Sequence, residues 1–251
     1  RLLKNLQGRA KQVNNWEIFV KTSLELAELY EKIYRDKDAK AQLQKATTII
    51  DQYQLDTLRI EWMIRAAFWH HDFGYPDSSL YYAEEALKKL NPASNLQTQL
   101  DTYTLLGLAA VSEDYLKAIA YFKQAIQIAK ILNDYTALSK LYYEITFANV
   151  YNINWEEGQK YVDSTIMACY QAIEAGHENI YTLGAAYNRK ALIFEAKGQY
   201  DSAYHYLEKG AAQNIRFLEQ QQFDQIVEID AQYEDQQKNL RLSQQNQKLR
   251  Q

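Results

Sequence analysis

Cysteine, proline and glycine are all scarce: one Cys, two Pro and eight Gly in 251 residues. The lone Cys169 excludes an internal disulfide and any multi-cysteine metal site, and it leaves the compartment unread. So little Pro and Gly cannot supply the many tight turns of a β-rich fold, which makes helix the default. No apolar run approaches the ~20 residues of a membrane-spanning helix. Net charge is -4 with no recurring basic stripe, so the electrostatic footprint of a nucleic-acid binder is missing and nucleic acid is excluded as a partner of this segment. Glycine-rich phosphate loops and the Gly-x-Ser-x-Gly elbow are absent, and His177-Glu178 lacks the second histidine of a zinc-protease helix. The start, Arg1-Leu2-Leu3-Lys4, is neither a signal peptide nor an initiator methionine. The chain is therefore expected to be a piece of a longer protein, with any targeting signal or membrane span outside it.

What the chain does contain is periodicity. Apolar residues recur at spacings of three and four, as in Leu24, Ala27, Tyr30, Ile33 and Tyr34, the pattern of a helix buried on one side. Superimposed on this is a longer repeat. Pairs of small residues seven apart occur at Ala39 and Ala46, Ser79 and Ala86, Ala118 and Ala125, Gly158 and Thr165, Ala203 and Gly210. Between them, four residues after each first member, sit Leu43, Ala83, Phe122, Val162 and Leu207. Seven residues is two helical turns, so each trio shares one face, along which another helix can approach closely. The first members stand 40, 39, 40 and 45 residues apart in turn, a period that suits a helix hairpin plus its connections.

The residues that carry this period resemble tetratricopeptide repeats. "LLGLAAVSEDYLKAIAYFKQAIQIAK", Leu105 to Lys130, has the helix-A Leu106-Gly107, the turn aromatic Tyr115 and the helix-B trio Ala118, Phe122 and Ala125. "AKGQYDSAYHYLEKGAA", Ala196 to Ala212, is similar in its turn and second helix, and the other units are more degenerate, with Ala27, Ala67 and Ala191 where glycine is usual. The resemblance covers Trp16 to Ala212 and implies an all-α, right-handed α-solenoid of about five helix hairpins. Its period is longer than the family's usual ~34 residues. The expected pairs are 16–35 with 37–53, 56–72 with 77–90, 95–111 with 115–132, 134–151 with 155–175, and 180–196 with 199–213. Asn91-Pro92, Asn133-Asp134 and Gly176-His177-Glu178-Asn179 punctuate the gaps. Residues 1–15 are expected to form a capping helix, 16–213 the stack and 214–251 a long connecting helix.

In this family the first helices line a concave face that binds peptides or partner helices. By repeat register, the resemblance implies Glu61, Ile64, Phe68, His71 and Asp72 in the second pair, and Thr104, Leu108 and Val111 in the third. Lys140, Tyr143, Phe147 and Tyr151 follow in the fourth pair and Asn188 in the fifth. This register also bears on "WHHDFGYPD", Trp69 to Asp77, where two of the four histidines stand beside an aspartate, the side chains a metal-dependent hydrolase uses. The remaining histidines, His177 and His205, are roughly a hundred or more residues further along a stack in which each repeat touches mainly its neighbours. His70 is accordingly expected to pack into its pair, with His71 and Asp72 at the groove edge. Cys169 is read as a buried, inert thiol. No catalysis and no cofactor are expected.

Beyond Ala212 the chain changes character. It is rich in Gln, lacks Gly and Pro, and keeps only a thin apolar seam at Ile226, Ile229, Tyr233, Leu240 and Leu249. Acids come first (Asp224, Glu228, Asp230, Glu234, Asp235) and bases last (Lys238, Arg241, Lys248, Arg250), which complements the dipole of one long helix. "IDAQYEDQQKNLRLSQQNQKLRQ", with Tyr233, Glu234 and Lys238, resembles the juxtamembrane connector of repeat-containing membrane sensors. That resemblance implies the sensor segment of a two-component kinase or transcriptional regulator, dimeric through this helix, with the membrane reached only through a span outside the segment. It favours the extracytoplasmic side, although a basic end is commoner on the cytoplasmic flank of spans. The alternative is a cytoplasmic adaptor holding a partner's peptide or helix, with no output domain.

Overall fold

The computed structural model describes residues 2–90, 94–111, 114–177 and 179–248, and among these the regular structure is entirely helical. A first helix, α1 (Leu2–Gln12), precedes the hairpins. These are α2 (Trp16–Lys32) with α3 (Asp36–Tyr53), α4 (Arg59–Asp72) with α5 (Pro76–Lys89), and α6 (Leu96–Ala110) with α7 (Tyr115–Leu132). There follow α8 (Tyr135–Tyr151) with α9 (Trp155–Glu174), and α10 (Ile180–Ala196) with α11 (Tyr200–Lys248). A single 3-10 turn, Asp56–Leu58, leads into α4. The second helix of the fifth pair and the expected connector are one uninterrupted helix, α11. Asn91, Pro92, Glu178, Leu249 and Arg250 lie outside the described residues, as do the side chains of Ile229, Leu240, Arg241, Lys248 and the charged residues expected between 224 and 238.

Eight helices, α1–α4 and α7–α10, end in one repeated way. Asn14, Tyr34, Gln54 and Gly74 stand twenty residues apart, and each has positive φ, as do Asn133, Ile153, Gly176 and Gly198. In every case the next amide reaches back five residues: Arg35 N to Tyr30 O at 2.8 Å, Tyr75 N to His70 O at 2.7 Å, Asn154 N to Asn149 O at 2.8 Å. This is the Schellman closure, which satisfies orphan carbonyls at a helix end. The next helix then starts at once. Asn15 accepts from Ile18 N at 3.2 Å, and Asp134 accepts from Ala137 N at 2.9 Å. Chain reversal at these ends takes two to five residues, and the repeat period is two helices with their two reversals.

The chain divides into two compact units, Arg1–Ala168 and Cys169–Gln251, with the division inside α9. In the first unit each hairpin packs its two helices together, and α4 also touches α2 and α6. Ala39, Ala46, Ser79, Ala86, Ala118, Ala125 and Thr165 are all buried, as the repeat implies. Phe122 fills the third hairpin, its ring lying where a Cβ on Gly107 would be. That contact accounts for the Leu-Gly of the best-conforming repeat: the aromatic ring needs bare backbone opposite it. α1 is tied on by Gln7, whose amide donates to Ser23 Oγ at 2.7 Å and Gln42 Oε1 at 2.9 Å.

In the second unit α10 and α11 run antiparallel. Phe194 stacks on Tyr206 at 5.4 Å, and Tyr181 meets Phe217 at 5.3 Å. Gly184 and Gly210 sit at the closest approach, with Asn214 and Asn188 in the space their side chains would need. Pairing with α10 ends near Phe217, and α11 continues past it with Leu218, Phe223, Ile226, Val227 and Tyr233 exposed. Leu207 is also exposed, unlike its counterparts Leu43, Ala83, Phe122 and Val162.

Gly107→Ala is expected to lower stability by about 1–3 kcal/mol through overpacking against Phe122. Gly8→Ala, with open space around it, should be neutral or stabilising by up to about 1 kcal/mol. Chemical denaturation of the two variants checks the contrast. Ile153 is β-branched, left-handed and 71% exposed, so it keeps strain without burying its side chain. Ile153→Gly should raise stability by about 1 kcal/mol, since the strain relieved exceeds the added chain entropy; an unchanged or lower melting temperature would show that the strain is absent.

Candidate functional site

Three successive first helices meet at a cleft of about 320 Å³. α2 contributes Lys21, Leu24, Glu25 and Glu28, which is helical spacing of three and four and hence one face. α4 contributes Glu61, Ile64 and Arg65, and α6 contributes Gln97, Thr98 and Asp101, with Asn95 from the preceding turn. Leu24 and Ile64, the latter 4% exposed, belong to the core and make an apolar floor. The walls are charged.

Arg65 organises those charges. Its Nη2 lies 2.7 Å from Glu28 Oε2 and its Nη1 3.5 Å from Glu31 Oε1, so one guanidinium, 18% exposed, serves two carboxyls of α2. Burial works against ionisation of Glu28, but Lys32, Arg65 and Lys140 outweigh it and hold the carboxyl below its usual range. Glu31 behaves oppositely. It is 7% exposed, its Oε2 has no partner, and Asp72 stands beside it. Burial, and then the Asp72 and Glu28 charges, overcome Arg65 and push Glu31 up to about 8. Two adjacent carboxyls bond to each other only when one holds a proton, and this pair joins the ends of α2 and α4. Asp101 is pushed up to about 6 by burial, against a hydrogen bond donated by the Gln97 amide at 2.9 Å.

The residues expected by register fall in several places. Glu61 and Ile64 line the cleft, whereas Asp72 is exposed and stands beside Glu31. Phe68 is half-buried under the Arg65 guanidinium, 5.4 Å away. His71 is half-buried, while Lys140 is exposed and acts on Glu28 across the first unit. Phe147 stacks on Tyr151 at 6.2 Å; Tyr151 is 75% exposed and Tyr143 half-buried. Four residues sit elsewhere. The Thr104 hydroxyl donates to Leu100 O of its own helix at 2.8 Å, and Leu108 and Val111 pack against the core of the third and fourth hairpins. Asn188 points at Gly210, so it fills its own hairpin instead of a groove. Lys21, Glu25, Glu28, Arg65 and Asp101 were missed. The face on α2 was legible had the register been carried back one hairpin, but Arg65 is reached only because Glu28 and Glu31 come to it from another helix.

The "WHHDFGYPD" residues separate as the register implies. His70 stacks on Tyr82 of its partner helix at 5.4 Å, and burial and then Lys40 lower its pKa. Among the described residues no group of three or more His, Cys, Asp or Glu is placed to hold a metal ion, and Cys169 is buried and forms no disulfide.

No family model and no curated protein matches the sequence. Solved structures do match. BtubC (BKLC) from P. vanneervenii aligns at 13% identity and TM-score 0.70 over 86% of this chain and 89% of that one. A structure of nearly identical TPR-like repeats from Podosopora anserina aligns at 17% identity and TM-score 0.55, over 79% and 96%. A signal-transduction ATPase from Pyrococcus horikoshii described as having a tetratricopeptide repeat sensor aligns at 14% and 0.52, with 82% of this chain matching 38% of that one. The fold is thus that of tetratricopeptide-like helical repeats.

Both raised carboxyls bind more protons folded than unfolded, so stability is expected to fall as pH rises, from about 4 to 6 through Asp101 and from about 4.5 to 8 through Glu31. Thermal melts from pH 5 to pH 9 check this. Glu31→Gln should match the wild type at pH 5 and melt higher at pH 9; a constant difference across that range would remove Glu31 as the titrating group.

Proposed function

We propose that this chain is a protein-interaction module whose α2–α4–α6 cleft receives a cationic side chain of a partner peptide or helix. The carrying observation is the cleft's charge: Glu25, Glu28, Glu61 and Asp101 stand against Lys21 and Arg65 around an apolar floor. An aliphatic stem over Leu24 and Ile64 with its charged head among the carboxylates suits Lys or Arg. The tetratricopeptide-like fold supports the reading, since stacked helix pairs offer their first helices as an extended binding surface.

The module serves, in this reading, as the sensor segment of a signalling protein on the extracytoplasmic side of a membrane. Its α11 relays the bound state and pairs with a second copy. The exposed apolar residues of α11 beyond Phe217 favour this over a free-standing adaptor, which has no use for an unpartnered apolar helix. No helix among the described residues is long and apolar enough to cross a membrane, so the sensor reading requires ~20 apolar residues elsewhere in the gene.

Titration of short Lys- or Arg-containing peptides and their Glu-substituted counterparts tests the cleft. Binding should favour the cationic peptides, weaken with salt, strengthen from pH 5 to pH 7.5 as Asp101 ionises, and fall at least tenfold in Glu28→Gln with Glu61→Gln. Equal binding of the acidic peptides would refute it. For the relay, site-specific crosslinking at Ile226 in the full-length protein should yield a dimer whose extent changes when peptide binds; a monomer under all conditions leaves the adaptor.

A further inference from the structure

α4 presents two different faces. Glu61, Ile64 and Arg65 turn to the cleft, whereas Trp62, Trp69 and His70, at about 100° per residue, are centred about a third of a turn around the helix. With Lys40 of α3, Tyr75 of the turn and Tyr82 of α5 they enclose a separate pocket of about 270 Å³.

Trp62, Trp69, His70 and Tyr82 form its aromatic wall, with Tyr75 at the edge. Trp62 donates its indole N–H to Leu43 O at 3.0 Å and meets Tyr82 edge-on at 5.4 Å. Tyr82 stacks on His70 at 5.4 Å, and Tyr75 stacks on Trp69 at 5.8 Å. Two polar atoms in these walls have no hydrogen-bond partner, Trp69 Nε1 and His70 Nδ1, although Trp69 is only 5% exposed. A buried donor left unpaired is costly, and its place beside a cavity points to a missing acceptor. Among the described residues that line the pocket Lys40 is the one formal charge and none is a carboxylate; its ammonium lies 5.4 Å from the centre of the Trp69 ring. Burial and Lys40 together keep His70 on its neutral side. An aromatic box of this kind with acids at its rim would suit a quaternary ammonium; with a lysine there it selects an anion. The volume is near the lower end for ligand pockets and fits one or two rings.

We propose that this pocket binds a small planar aromatic carboxylate, its ring held between Trp62, Trp69 and Tyr82 and its carboxylate paired with Lys40. Tyr75 stacks over Trp69 and follows Gly74, whose φ is +81°. Swinging Tyr75 aside opens the Trp69 N–H to the second carboxylate oxygen. This site lies on a different face from the cleft and does not depend on the peptide reading.

Isothermal titration with indole-3-acetate, indole-3-acetamide and tetramethylammonium tests it. The acid should bind with sub-millimolar Kd and the amide at least tenfold more weakly, with no heat from the cation. Lys40 is exposed, so Lys40→Gln should fold normally and weaken the acid at least tenfold. Trp69→Phe, which keeps a ring and deletes the donor, should weaken it several-fold. Glu28→Gln should leave this binding unchanged while impairing the cleft, so either site can fail alone. Equal affinity for acid and amide, preference for the cation, an unaltered Kd in Lys40→Gln, or no heat from the acid at millimolar concentration would each overturn the proposal.

Discussion

Close approach of helices at small residues is the constraint on which the rest depends. Ala118 and Ala125 bring α7 against its neighbours, Gly107 leaves room for the Phe122 ring, and Gly184 with Gly210 does the same for α10 and α11. Packing at this distance depends on tight, repeated reversals, and the Schellman closures at Asn14, Tyr34, Gln54, Gly74, Asn133, Ile153, Gly176 and Gly198 supply them. Together they bring α2, α4 and α6 into one neighbourhood. Without that alignment there would be no cleft.

Alignment has an electrostatic consequence. Helices from different repeats bring like charges together, and one guanidinium, Arg65, is shared between Glu28 and Glu31 while Asp72 crowds the latter. A neutral Glu31 beside Asp72 costs less than a buried anion facing a second anion, which is why Glu31 is pushed up where α2 meets α4.

The aromatic pocket on the other face arises from the same packing. His70 was expected to pack into its pair, and Trp62, Trp69 and Tyr82 pack in or against the cores of the first two hairpins. Their rings also border space, because the inter-repeat junction between α3, α4 and α5 is broader than side chains can close. His70 is inward, as its register implied, but inward here means toward a cavity as well as toward Tyr82.

Helix class, hairpin boundaries and the buried trios were legible because they follow from local spacing: seven residues make two turns wherever they occur, and Asn133-Asp134 announces a reversal without reference to the rest of the chain. Groove positions on α4 were legible in part for the same reason, Glu61 and Ile64 by register. Ile153 as a left-handed turn residue was not, because propensity argues against it and only the packing of α8 and α9 demands it. Nor were Arg65 as the shared counter-ion, Asn188 as filler against Gly210, or Asp101 as a raised acid. Each depends on what a second helix places opposite, at a distance set by side-chain volumes. The sequence by itself determined that this protein is a run of helix hairpins closed at regular intervals. Tertiary structure alone decided which side chains became floor, counter-ion or pocket wall, since charge and burial act through space and not along the chain.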